Sequence, residues 1–303
     1  MTPLTVIGGY LGAGKTTLIN RLLGEDHGLR LAVLVNDFGD INIDETLLQS
    51  HDGDTLSLSN GCVCCTIADA LGDALDKVLA RSPPLDHILV EASGVANPAK
   101  VAMYGQGWPG LSLDGVIVVV DAHTIRSQAD DKFVGSTVRQ QLAAGDLFLL
   151  SKVDLIGEEQ VESVSNWLRA QVPGCSIVKA CFGEVSADVL LGVLSVRQQR
   201  FVSDVSNHAQ FHYFSVRLER PLHRARLRAV IASWPDEVVR AKGLVALQDD
   251  PNQRYELQLV GRRLCLRPMS VRDRNGGSEI VVIGVGQAFD PSALEQTLRA
   301  VSQ

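Results

Sequence analysis

"GYLGAGKTT", residues 9–17, follows the aliphatic run Leu4–Gly8 directly and opens a segment of helical period. It fits G-x-x-x-x-G-K-[ST] with Gly9, Gly14, Lys15 and Thr16. Glycines let backbone N–H groups turn inward around a polyphosphate without a Cβ in the way, and Gly12, Ala13 and Thr17 complete that cradle. The helix N-terminus adds a positive end, Lys15 reaches the β- and γ-phosphates, and the Thr16 hydroxyl can ligate Mg²⁺. An ordinary glycine-rich strand–helix turn is the competing reading. The strand before the motif and the helix after it decide for phosphate.

Working outward, short aliphatic runs recur at Leu4–Gly8, Leu31–Asn36, Thr55–Leu58, His87–Val90, Val116–Val120 and Leu147–Leu150. Between them, Ile67, Leu71, Ala74, Leu75, Val78 and Leu79 share one helical face, as do Val161, Val164, Leu168 and Val172. Strands apolar on both faces that alternate with helices imply a mostly parallel sheet covered by helices. The expectation is an α/β P-loop NTPase domain over residues 1–194 and a polar linker over 195–210. A smaller α+β domain over 211–303 should follow, because Phe214, Val216 and Leu218, and then Tyr255, Leu257 and Leu259, alternate with polar residues as half-buried antiparallel strands do. One helix is expected after Pro221 and another at Asp290–Pro291.

A P-loop needs a carboxylate near its metal, usually closing an aliphatic strand. Glu91 ends "HILVE" and Asp121 ends "GVIVVVD". Glu91 is preferred because Gly94, three residues on, can offer its N–H to a γ-phosphate. Asp121 then reads as a helix N-cap. Farther on, "LFLLSKVD" closes a strand at residues 151–154. A carboxylate at Asp154 can accept both guanine N1–H and N2–H₂, which adenine cannot supply, and the Lys152 stem can cover the ring. That pair favours GTP over ATP.

Three of the chain's six cysteines, Cys62, Cys64 and Cys65, crowd into "SNGCVCCTI". Their spacing leaves metal binding, thiol redox chemistry and inert packing open. Thiolates suit Zn²⁺, Cu(I) or Co²⁺, and Zn²⁺ prefers four ligands where the turn has three. Cys175, Cys181 and Cys265 stand alone and read as small buried hydrophobes.

The bulk numbers narrow the partners. The 303 residues are 46% hydrophobic and 21% charged, with a net charge of −7 and a pI near 5.5. That acidity argues against non-specific nucleic-acid binding. The aliphatic run at 115–120 is far below the ~20 residues of a membrane span, and Met1–Gly9 has no basic n-region. No membrane and a reducing cytoplasm are the expectation.

In order and spacing, "GGYLGAGKTTLINRLL", "VNDFGDINID", "LSNGCVCCTI", "ILVEASGVANP" and "SKVD" resemble the CobW-type P-loop GTPases, relatives of the hydrogenase and urease nickel-insertion GTPases. "VVRAKGLV" resembles the start of that family's C-terminal domain more loosely. The resemblance implies Mg²⁺-dependent GTP hydrolysis coupled to delivery of Zn²⁺ or Co²⁺ to a client metalloprotein, and it leaves a homo-oligomer open. "NDFGDINID" and "EASG" become the first and second switch segments. Asp40, at a family position implicated in metal binding, becomes the first choice for a fourth ligand, ahead of His123. Departures are Ser151 where the family has Asn, which weakens a tie between base loop and phosphate loop, the shorter acids Asp37 and Asp40, and a linker with only His208. A zinc sensor or buffer without delivery, and a small-molecule kinase on the same scaffold, are the rival functions.

Overall fold

The computed structural model describes residues 1–25, 27–36, 55–58, 66–192, 211–269, 277–286 and 289–302, with the backbone alone at 36, 55–58 and 66–70. Cys62, Cys64, Cys65, Asp37, Asp40 and His208 lie outside the described residues. The chain forms two compact units, residues 1–173 with 178–191, and residues 174–177 with 192–303.

Among the described residues, seven strands make the first sheet: β1 (Thr2–Gly8), β2 (Leu31–Asn36), β3 (Thr55–Leu58), β4 (His87–Glu91), β5 (Leu111–Asp121), β6 (Leu147–Ser151) and β7 (Ser176–Ala180). Their order is β3-β2-β4-β1-β5-β6-β7. The pairs from β3 through to β6 are parallel. β4, β5 and β6 are buried along their whole length, which is why they read as unbroken aliphatic runs. β7 is the strand that the aliphatic runs do not announce.

Helices α1 (Lys15–Gly24), α2 (Thr66–Leu79), α3 (Pro98–Gly107), α4 (Ile125–Asp130), α5 (Gly135–Ala143), α6 (Glu158–Gln171) and α7 (Ala187–Leu191) complete the alternation. Leu71, Ala74, Leu75 and Val78 of α2 are buried, as are Val161, Val164 and Leu168 of α6. α3 starts with Pro98 in its first turn, after Asn97, whose Oδ1 accepts the Ala99 N–H at 3.0 Å. Three fully buried polar groups cross the middle of the sheet: Thr5 donates to Asp114 Oδ2 at 3.0 Å and accepts from His87 Nε2 at 2.8 Å. Each partner is buried, so slipping β1 by one residue against β4 or β5 leaves polar groups unsatisfied.

The second unit carries a five-stranded antiparallel sheet of β8 (Phe211–Leu218), β9 (Val238–Leu247), β10 (Asp250–Val260), β11 (Arg263–Pro268) and β12 (Ser278–Val285), in the order β11-β10-β9-β12-β8. α8 (Arg224–Ala232) and α9 (Pro291–Val301) add Leu227, Ile231, Leu294, Leu298 and Val301 to a core with Val216, Leu218, Leu257, Leu259 and Val282. Asp290 caps α9 by accepting from the N–H groups of Ser292 and Ala293. No helix among the described residues is long and apolar enough to cross a membrane.

Candidate functional site

Because β1, β4, β5 and β6 run parallel, their C-terminal ends gather at one edge, where ligands bind in open α/β sheets. Gly9 leaves β1 with φ +136°, and a Cβ there would lie 2.3 Å from the Val119 carbonyl oxygen. Only glycine lets the loop pass β5 so closely. Gly12 and Gly14 also take positive φ, 74° and 99°. The loop closes through an Ala13 N–H to Tyr10 O bond, and α1 begins with the Leu18 N–H on Gly14 O. The first-turn amides of Lys15, Thr16 and Thr17 have no carbonyl in the helix below them. Lys15 is 7% exposed, and its Nζ donates to Gly9 O at 3.1 Å and Tyr10 O at 3.5 Å.

The Thr16 hydroxyl donates to Glu91 Oε1 at 3.2 Å. Glu91 is buried at the end of β4, paired in register with Ile7. A hydroxyl and a carboxylate side by side at a helix N-terminus are hard oxygen donors, a set that fits Mg²⁺. Asp121 is engaged elsewhere. Its Oδ2 accepts from Lys152 Nζ at 2.7 Å and its Oδ1 from the His123 N–H at 2.9 Å. Burial raises its carboxyl pKa, but the Lys152 ammonium and the His123 amide outweigh that and hold it below the usual carboxylate range. Asp121 is therefore not a helix cap: α4 starts at Ile125 with Thr124 at the cap position, and Asp121 instead ties a turn to Lys152.

Beyond Glu91, the Ala92 N–H returns to Ile7 O, and Gly94 lies against the phosphate loop. A Cβ on Gly94 would sit 2.9 Å from the Leu11 amide nitrogen and 2.5 Å from Leu11 Cδ2. Gln141 of α5, 2% exposed, donates its amide to Gly94 O and Ala96 O, both at 2.9 Å. Sequence reasoning missed Gln141. The signal was a lone polar side chain on the α5 face that also carries Val138 and Leu142, both buried.

At the end of β6, Ser151 Oγ lies 2.7 Å from Ala13 O and 3.2 Å from Val120 O. The serine, though shorter than asparagine, still ties the base loop to the phosphate loop, because Ala13 comes close enough for a direct bond. Lys152 then takes φ 56° and leads into the single 3₁₀ turn Val153–Leu155. A cavity of about 270 Å³ lies beside it, lined among others by Gly14, Ser151, Lys152, Asp154, Leu155 and Phe182.

Residues 3–179 match the family model described as the CobW/HypB/UreG nucleotide-binding domain. The chain belongs to the CobW/HypB/UreG family. Residues 211–302 match the cobalamin synthesis protein cobW C-terminal domain. The zinc chaperone CobW of Sinorhizobium sp is 31% identical, over 99% of this chain and 97% of that protein. The zinc chaperone YjiA of Escherichia coli is 29% identical, over 84% and 85% of the two chains. The crystal structure of Zn(II)-bound YjiA GTPase from E. coli aligns over 100% of this chain and 99% of that one, at 23% identity and a TM-score of 0.48.

In this CobW-family chain the wall of the cavity beside Asp154 includes the segment after β7, which the sequence reading passed over. Cys181 is half-exposed rather than a buried hydrophobe, and its Sγ lies 3.7 Å from Asp154 Oδ1. Partial burial, then the Asp154 carboxylate, raise the thiol's pKa above its ordinary value. Cys265 on β11 is likewise only partly buried, and Cys175 alone fits the expected burial. The reason is position: residues 181 and 265 lie in a loop and a sheet-edge strand rather than in a covered layer.

Proposed function

We propose that this chain is a GTPase metallochaperone that hydrolyses GTP at the sheet edge and carries Zn²⁺ at Cys62, Cys64 and Cys65, with Asp40 as fourth ligand, to a client metalloprotein. Co²⁺ suits the same thiolates. The contact between Thr16 and Glu91 carries the nucleotide half of this reading. The Thr16 hydroxyl, with Glu91 beside it, would hold Mg²⁺, which would supply charge neutralisation to the polyphosphate.

The chain's own groups do the rest. Lys15 exchanges the Gly9 and Tyr10 carbonyls for phosphate oxygens, while the amides of Gly12, Ala13, Gly14 and Thr17 complete the cradle. Gly94, packed against Leu11 and bonded through its carbonyl to Gln141, offers its N–H to a γ-phosphate. Asp154 accepts from guanine N1–H and N2–H₂, and Lys152 lends its stem to the ring.

For the metal half, the support is the naming of relatives as zinc chaperones and one register. The acidic segment follows Asn36 and the cysteine turn follows Leu58, and these two residues are partners across β2 and β3. Emptying a mostly loaded carrier needs a differential of about 5.5 kcal/mol, against ~1–3 kcal/mol for ordinary coupling between sites. Hydrolysis loosens the metal and the client site removes it. The test is Zn²⁺ titration against one chelator with a GTP analogue, with GDP and without nucleotide. We expect affinities that differ between the GTP-analogue and GDP states by ~5–150-fold. Equal affinities in all three would make the turn a static zinc site, and the chain a buffer.

A further inference from the structure

Among the described residues, two non-glycine residues have positive φ, Lys152 at 56° and Phe182 at 49°. Both line the cavity that holds Asp154. For a bulky side chain this backbone region is costly, and it persists only where the surroundings over-determine it.

The surroundings of Phe182 do so. The Glu184 N–H closes a turn onto Cys181 O at 2.8 Å. Arg21 of α1 donates to Phe182 O at 3.4 Å and pairs with the Glu184 carboxylate. Gly183, at φ +77°, lies so close to α1 that a Cβ would be 3.3 Å from Leu18 Cα. At its start the turn is held by the Cys181 thiol on Asp154. The turn is fastened at both ends, yet the side chain it presents is 69% exposed. A fixed aromatic ring left in water beside an apolar-walled cavity gains from a flat apolar partner. Lys152 lines the same cavity, and with its ammonium tied to Asp121 its methylene stem is the apolar part of the side chain left to a ligand.

We propose that the Phe182 ring and the Lys152 stem form the two faces of a slot for a purine base, with Asp154 reading its edge. This rests on the guanine-nucleotide reading above and adds to it a stacking residue. Stacking is indifferent to the phosphates and tolerant of base identity, so Phe182 sets affinity for GDP and GTP alike, while Asp154 sets the choice of base.

The test uses the full chain and GDP as probe. Phe182→Ala should weaken GDP binding about tenfold, raise KM for GTP by the same factor with little change in kcat, and leave the preference for GDP over ADP as in wild type. Phe182→Tyr should restore the affinity. In Phe182→Trp, the new indole's emission should be quenched as GDP saturates, after subtraction of the wild-type titration. GDP affinity in Phe182→Ala within twofold of wild type, together with an unquenched Phe182→Trp, would overturn the slot while leaving the nucleotide reading intact. Wild type without measurable GDP binding would overturn both.

Discussion

Lys152 occupies a backbone conformation that glycine or asparagine would adopt more cheaply, and its ammonium is tied to Asp121. The bond to Asp121 therefore orients the stem, and its strength depends on Asp121 being ionised. The folded carboxyl titrates below its unfolded value of ~3.9. Its contribution to stability is complete above that value and is lost as pH falls through the depressed folded value. Asp121→Asn should therefore destabilise the protein most at neutral pH, and the gap to wild type should shrink as pH drops below about 4. Urea unfolding of both proteins at pH 7, 5, 4 and 3 measures this. A gap that stays constant over the series would show that the carboxylate's charge is not what holds Lys152.

At the scale of elements, α5 acts on the site from behind. Its Gln141 holds two carbonyls of the segment that follows Glu91, and Gly94 in that segment has no room to retreat against Leu11. Gln141→Ala should leave GDP affinity within about twofold, because phosphate loop and base wall are untouched, but lower GTP turnover by roughly tenfold or more, since even ~1 Å of misplacement is costly at a reacting centre. Phosphate release and GDP titration on one preparation separate the two, and a parallel loss of both would mark Gln141 as a general packing residue.

This contact also shows where sequence is legible. β4, β5 and β6 are buried along their whole length and β1 over most of its own, so each is written as an aliphatic run and the parallel, helix-covered sheet follows from the alternation, while the order of its strands does not. The phosphate loop is legible because its backbone conformation demands glycine at fixed spacing. β7 hides because Lys179, exposed and paired with Glu162, breaks its apolar run. Gln141, Cys181 and Phe182 are brought to the site by topology alone, from an α-helix and a loop whose composition carries no chemistry of its own.

At the scale of the whole molecule, the second unit has a core of its own, and we expect residues 193–303 to unfold in urea as one cooperative transition. Leu257 is fully buried at the centre of that core, so Leu257→Ala should cost about 2–5 kcal/mol in the isolated fragment. A broad transition insensitive to this substitution would mean that the fragment needs the remainder of the chain to fold.

The strand order of the first sheet has a bearing on synthesis. β1 is made first, yet the strands that flank it, β4 and β5, end only at Glu91 and Asp121. At ~5–20 residues per second, the central strand leaves the ribosome and waits roughly 5–20 s before both neighbours exist. Through that interval a strand destined to be buried presents open edges to other nascent chains. The middle of the sheet is thus the part of this protein most exposed to aggregation at birth, and faster translation through residues 9–121 shortens the exposure.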